Sequence, residues 1–122
     1  MTRRATIVLG LVAAALAFLP DRAAARPVQM TASTPQAEAI IRGDHAEYVV
    51  RFDGPVNHYQ SRMEIVQDGR VVQTMPPLQD SAVDVLFANG PVPPPGRYGL
   101  RWTAISGGGE TSTGEIPFTV GQ

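Results

Sequence analysis

Between residues 45 and 52 the chain alternates. Ala46, Tyr48, Val50 and Phe52 fall on one side, and His45, Glu47, Val49 and Arg51 on the other. A period of two is that of a half-buried strand, whose successive side chains point to opposite faces. The same alternation returns near the end, in Tyr98, Leu100, Trp102 and Ala104 and again in Ile116, Phe118 and Val120. Two further apolar runs, Arg62 to Gln67 and Arg70 to Thr74, flank Asp68-Gly69. Asp-Gly between such runs predicts a tight hairpin, because both residues tolerate the positive φ that a type I′ turn requires. Ser81 to Ala88 predicts another strand, with Val83, Val85 and Phe87 on one face and Asn89-Gly90-Pro91 turning the chain after it. Val28 to Thr31 predicts a short first strand that Ser33-Thr34-Pro35 ends, since proline cannot join a ladder. Gln36 to Ile41 reads either as a helical turn or as an irregular loop, and Val56 to Gln60 as a loop.

About seven short strands at near-regular spacing, with Gly/Pro punctuation and no long helical period, predict an all-β fold. The expected architecture is an antiparallel Greek-key β-sandwich or barrel. There is no internal repeat.

The first 25 residues belong to a different class. Arg3 and Arg4 precede an apolar run from Ala5 to Leu19, then Pro20, then Ala23-Ala24-Ala25. A basic start, a short apolar stretch and small residues at −3 and −1 predict a signal peptide over 1–25, cleaved before Arg26. Residues 26–122 form the expected single domain. Removing the first 25 of 122 residues leaves 97, with seven arginines against ten acidic residues, a net charge near −3. That balance argues against nucleic acid and anionic membrane surfaces as partners. With no cysteine, disulfides, thiolate ligands and a Cys nucleophile are excluded. No Ser/His/Asp spacing, phosphate loop or paired-histidine motif is present, so a non-enzymatic protein is expected.

Ala32-Ser33-Thr34-Pro35 forms a short SSxP-like element, Tyr48 to Gly54 a strand that ends in Phe before a polar pair, and Gly96, Tyr98, Leu100, Trp102, Ser106, Gly114, Phe118 and Val120 a spaced closing pattern. On these residues, and over residues 26–122, the chain resembles the CopC-type periplasmic copper-resistance domain, whose closing signature they match without a gap. The resemblance implies an Ig-like or cupredoxin-like fold in the periplasm. It also implies a copper carrier, or an accessory to an inner-membrane copper transporter of the CopD type; a monomer is the expectation for the chain itself. It further implies a Cu(II) site built from an N-terminal His with its free amine and from the Asp and His of a D-x-H loop. Here those positions hold Arg26, Gly108 and Glu110, and a further acidic position falls on Gly54, beside Asp53. The Met-rich Cu(I) loop that the resemblance implies for some members is replaced by the Asp68-Gly69 hairpin.

Tight Cu(II) binding needs several nitrogen donors in a tetragonal arrangement. The residues left to hold a metal are His58, Glu110, Asp53 and the amine of Arg26, so weak Cu(II) binding is the expectation, and no other cofactor. Each has a plainer reading. His58 is a loop residue, Glu110 a loop carboxylate and Asp53 a turn-stabilising Asx residue. His45 falls on the outward strand face. Met30, Met63 and Met75 are scattered in sequence and read as core or rim filler. Gly107-Gly108-Gly109 is either a flexible loop, a surface for close backbone approach, or a metal loop that has lost its ligands. Two functions follow: a copper-homeostasis protein with a weakened or lost Cu(II) site, or a non-metal Ig-like docking module of the cell envelope.

Overall fold

A computed structural model describes residues 26–122; the expected signal segment, 1–25, lies outside the described residues. Eight strands follow in order: β1 (Met30–Thr34), β2 (Ala39–Ile41), β3 (His45–Phe52), β4 (Arg62–Gln67), β5 (Arg70–Met75), β6 (Val85–Pro91), β7 (Gly96–Ile105) and β8 (Thr111–Val120). They form two sheets, one in the order β1-β3-β6 and one in the order β2-β8-β7-β4-β5. Only β4–β5 and β7–β8 are hairpins within a sheet; every other connection crosses between sheets. The all-β sandwich expected from the spacing is therefore the fold.

The alternating segments behave as their period demands. Tyr48, Val50 and Phe52 of β3 are buried, as are Tyr98, Leu100, Trp102 and Ala104 of β7 and Ile116, Phe118 and Val120 of β8. His45 is exposed. The Asp68-Gly69 turn has φ of 52° and 79°, both positive as a type I′ turn requires. Between the sheets the rings of Phe52 and Trp102 meet edge to face, with centroids 5.0 Å apart. The two buried tyrosines each find an acceptor: Tyr48 donates to the Pro91 carbonyl (3.0 Å) and Tyr98 to that of Pro94 (2.6 Å). Burial pushes the Tyr48 phenol up from its ordinary value.

Three expectations are corrected. Residues 39–41, read within a helical turn or loop, are an edge strand that runs parallel to β8, with Ala39 opposite Phe118 and Ile41 opposite Val120. The flanking bonds from Glu38 N–H to the Pro117 carbonyl (2.7 Å) and from Gly121 N–H to the Ile41 carbonyl (2.9 Å) hold it there. Three residues carry too little period to announce a strand. β1 runs from Met30 to Thr34, two residues later at its start than Val28 and up to Pro35 itself. The strand placed at 81–88 begins only at Val85 and continues through Asn89-Gly90-Pro91, where a turn was expected. Its core face is Leu86, Ala88 and Gly90, while Phe87 is half-buried and Val83 is 68% exposed. The long β3 partner explains this, because His45, Ala46 and Glu47 pair with Pro91, Gly90 and Asn89 and override their turn preference.

Candidate functional site

The end of β3, the β7–β8 loop and the segment before β1 converge at one end of the sandwich. Val56 bridges to Ser106, Asn57 N–H donates to the Ile105 carbonyl (2.8 Å), and Gly107 N–H donates to that of Pro55 (3.2 Å). These bonds draw the Asp53–Asn57 turn against the glycine loop. The Val28 carbonyl accepts from the Ser112 hydroxyl (2.8 Å), which brings the N-terminal segment alongside. Between the three runs lies an open cleft of about 410 Å³, lined by Arg26, Asp53, Gly54, Ser106, Gly107 and Gly108 among others. Of the positions singled out by the resemblance, Arg26, Gly54 and Gly108 thus line one cleft with Asp53, whereas Glu110 is not among its lining residues.

Asp53 is clamped. Its backbone N–H donates to the Gln29 carbonyl (3.0 Å), and its Oδ1 accepts from Gln29 N–H (2.9 Å). The Arg26 Nη1 lies 3.3 Å from Oδ1 and 3.2 Å from Oδ2. The Gln29 amide first, and the Arg26 guanidinium second, hold this carboxyl below the usual carboxylate range. Glu110 is engaged within its own loop. Its Oε1 accepts from the Ser106 hydroxyl (3.0 Å), whose oxygen in turn accepts from Glu110 N–H (3.0 Å). Ser106 N–H donates to the Glu110 carbonyl (2.8 Å) and Gly109 N–H to that of Ser106 (3.0 Å). The loop from 106 to 110 is therefore a closed turn.

His58 does not join them. Its Nε2 faces the carbonyl oxygens of Ala82 (3.0 Å) and Val85 (2.8 Å). Two acceptors require that nitrogen to carry the proton. The ring pins the entry to β6 and lines a separate apolar pocket of about 240 Å³ with Met63 and Met75. Those two methionines, distant in sequence, are direct partners across β4 and β5. Counting outward from the Asp68-Gly69 turn would have found the pair, had the one-residue irregularity between Ile65 and Val66 been visible. Both are buried in the core, and Met30 is 41% exposed. Sequence reasoning also missed Gln29, whose contribution is a backbone one. It missed Ser61 too, which is buried and whose hydroxyl accepts from Ile105 N–H (3.0 Å).

The cleft does not fit Cu(II). It presents a guanidinium, which has no lone pair to give, one carboxylate already committed on both oxygens, and glycines. Among the described residues no three His, Cys, Asp or Glu side chains gather as a metal group. What the arrangement does chemically is neutralise itself.

A family model described as the CopC domain matches residues 30–121. Among solved structures, the chain is similar to that of CopC from Methylosinus trichosporium OB3b. There the TM-score is 0.68 and the identity 22%, over 76% of this chain and 92% of that one. It is also similar to PcoC, a methionine-rich copper resistance protein from Escherichia coli. That match has a TM-score of 0.61 and 17% identity, over 79% of this chain and all (100%) of that one. No curated protein matches the sequence significantly.

Proposed function

The chain belongs to the CopC domain family, and from that premise we propose that it is an exported, periplasmic, non-enzymatic copper-homeostasis protein whose Cu(II) site is weakened or lost. It serves as a carrier or as an accessory to a CopD-type inner-membrane copper transporter. The observation that carries the reading is the Arg26–Asp53 ion pair in the cleft that Gly54 and Gly108 also line. Membership supplies the copper context; the cleft's chemistry supplies the weak affinity. The second reading, an envelope docking module without metal, draws on the same self-neutralised cleft.

The test is thermal unfolding of the purified protein against Cu(II) concentration, paired with copper tolerance of a deletion strain. A ligand at 100 times its Kd stabilises by about 2.7 kcal/mol, a shift on the order of 10 °C for a domain this size. The expected outcome is no saturable shift at low-micromolar Cu(II), together with altered copper tolerance. Sub-nanomolar Cu(II) affinity that His58→Ala abolishes would overturn the weakened site. Unchanged copper tolerance and unchanged periplasmic copper would favour the docking module.

A further inference from the structure

We infer that the Arg26 guanidinium is a resident cation: it holds the place beside Asp53 that an external metal ion would need, and so keeps this cleft closed to divalent metals. The inference rests on the reading that the cleft is the family's altered metal position. Nη1 of Arg26 sits among three oxygens, Oδ1 and Oδ2 of Asp53 at 3.3 and 3.2 Å and the Pro27 carbonyl at 3.0 Å. A small cation would gather the same set. The pair is half exposed, 50% for Arg26 and 31% for Asp53. An isolated surface ion pair of this kind is weak. Here, however, the chain delivers the arginine: Gln29 accepts from the Asp53 backbone N–H and donates its own N–H to the Asp53 carboxylate, which fixes the segment that carries it.

The other wall of the cleft is closed by the same logic. A Cβ on Gly108 would lie 3.0 Å from Oε1 of Glu110 and 3.9 Å from the Ser106 hydroxyl. A ligating side chain at 108 would therefore have to displace the Ser106–Glu110 lock, or meet a like charge. Restoring a metal site needs changes on both walls. Changes on the loop alone leave a guanidinium beside the incoming ion. At a separation of about 5 Å, even in water, a unit positive charge lowers the affinity of a divalent cation by about tenfold.

The experiment uses Cu(II) alone as probe and two backgrounds, the native chain and the Gly108→Asp/Glu110→His double variant. In each, Arg26→Gln is compared with Arg26→Lys, and binding is read by quenching of Trp102 and by equilibrium dialysis. Arg26→Gln is expected to raise Cu(II) affinity at least tenfold in both backgrounds, and Arg26→Lys to leave it near the parent value. Adding Asp53→Asn should remove the difference between parent and Arg26→Gln. Equal affinity of the parent and Arg26→Gln, with far-UV spectra and unfolding midpoints unchanged, would overturn the inference. If the double variant does not fold, the native-background ratio decides. Tight Cu(II) binding by the native protein would sink the weakened-site reading, whereas the Arg26→Gln ratio judges the resident cation separately.

Discussion

Opposite Trp102 in the β7–β8 ladder stands Gly114. A Cβ there would lie 2.4 Å from Cζ2 of the indole and 2.7 Å from Cε2. The ring is 6% exposed and packed on Phe52, so it has little room to retreat. Gly114→Ala is therefore expected to destabilise by about 1–3 kcal/mol, as overpacking of a filled core does. At about 4–8 °C per kcal/mol for a domain of this size, the loss is readable as a lowered Tm. A midpoint within 1 °C or so of the parent's would mean that the indole shifts freely. Both Trp102 and Gly114 are visible in sequence. That one exists to seat the other is not, because it depends on β7 and β8 facing each other in this register.

At the scale of elements, the segment before β1 is tied to the end of β3 through Asp53. Its folded carboxyl titrates below the ordinary value, chiefly because Gln29 N–H and Arg26 favour the charged form. A depressed folded pKa contributes stability that is present above the unfolded value, near 3.9, and is lost as pH falls through the folded one. Stability should thus decline on acidification below about pH 4, and Asp53→Asn should flatten that acid limb while lowering stability at neutral pH. Urea midpoints measured from pH 7 to pH 2.5 decide it; parallel curves for parent and variant would show that the clamp is inert. The sequence suggested Asp53 as a turn residue or a metal candidate. Its actual partners, a backbone amide 24 residues earlier and an arginine 27 residues earlier, follow from the β1–β3 pairing. The β4–β5 hairpin shows the opposite case, since every bond that closes it lies within a few residues of Asp68-Gly69.

For the whole molecule, side chains of both sheets share one core cluster, from Tyr48, Val50 and Phe52 on one side to Ile65, Leu100, Trp102 and Phe118 on the other. Neither sheet can bury its apolar face without the other. Cooperative unfolding is the consequence. Fluorescence of Trp102, the only tryptophan, and far-UV circular dichroism should therefore trace a single coincident urea transition. Separated midpoints would mean that one sheet outlives the other. The cleft also belongs to this scale, since its three walls come from the N-terminal segment, the turn after β3 and the β7–β8 loop.

By itself the sequence determined the all-β class, the strands at 45–52, 62–67 and 70–74, the two closing strands around Tyr98 to Ala104 and Ile116 to Val120, and the inward faces of β3, β7 and β8. Period-two alternation and the Asp-Gly turn are local signals, written into a few consecutive residues. Through the family resemblance the sequence also implies that Arg26, Gly108 and Glu110 stand at the expected copper-ligand positions. Only the tertiary structure decided the edge strand β2, the phase of β6, the pairing of Met63 with Met75 and the withdrawal of His58 to the Ala82 and Val85 carbonyls. It alone decided that Arg26 turns to Asp53 and Glu110 to Ser106. Each of these depends on which chain segments become neighbours. A short or irregular segment takes its conformation from its partner strand, and a charged side chain takes its role from the counter-charge that the fold brings to it.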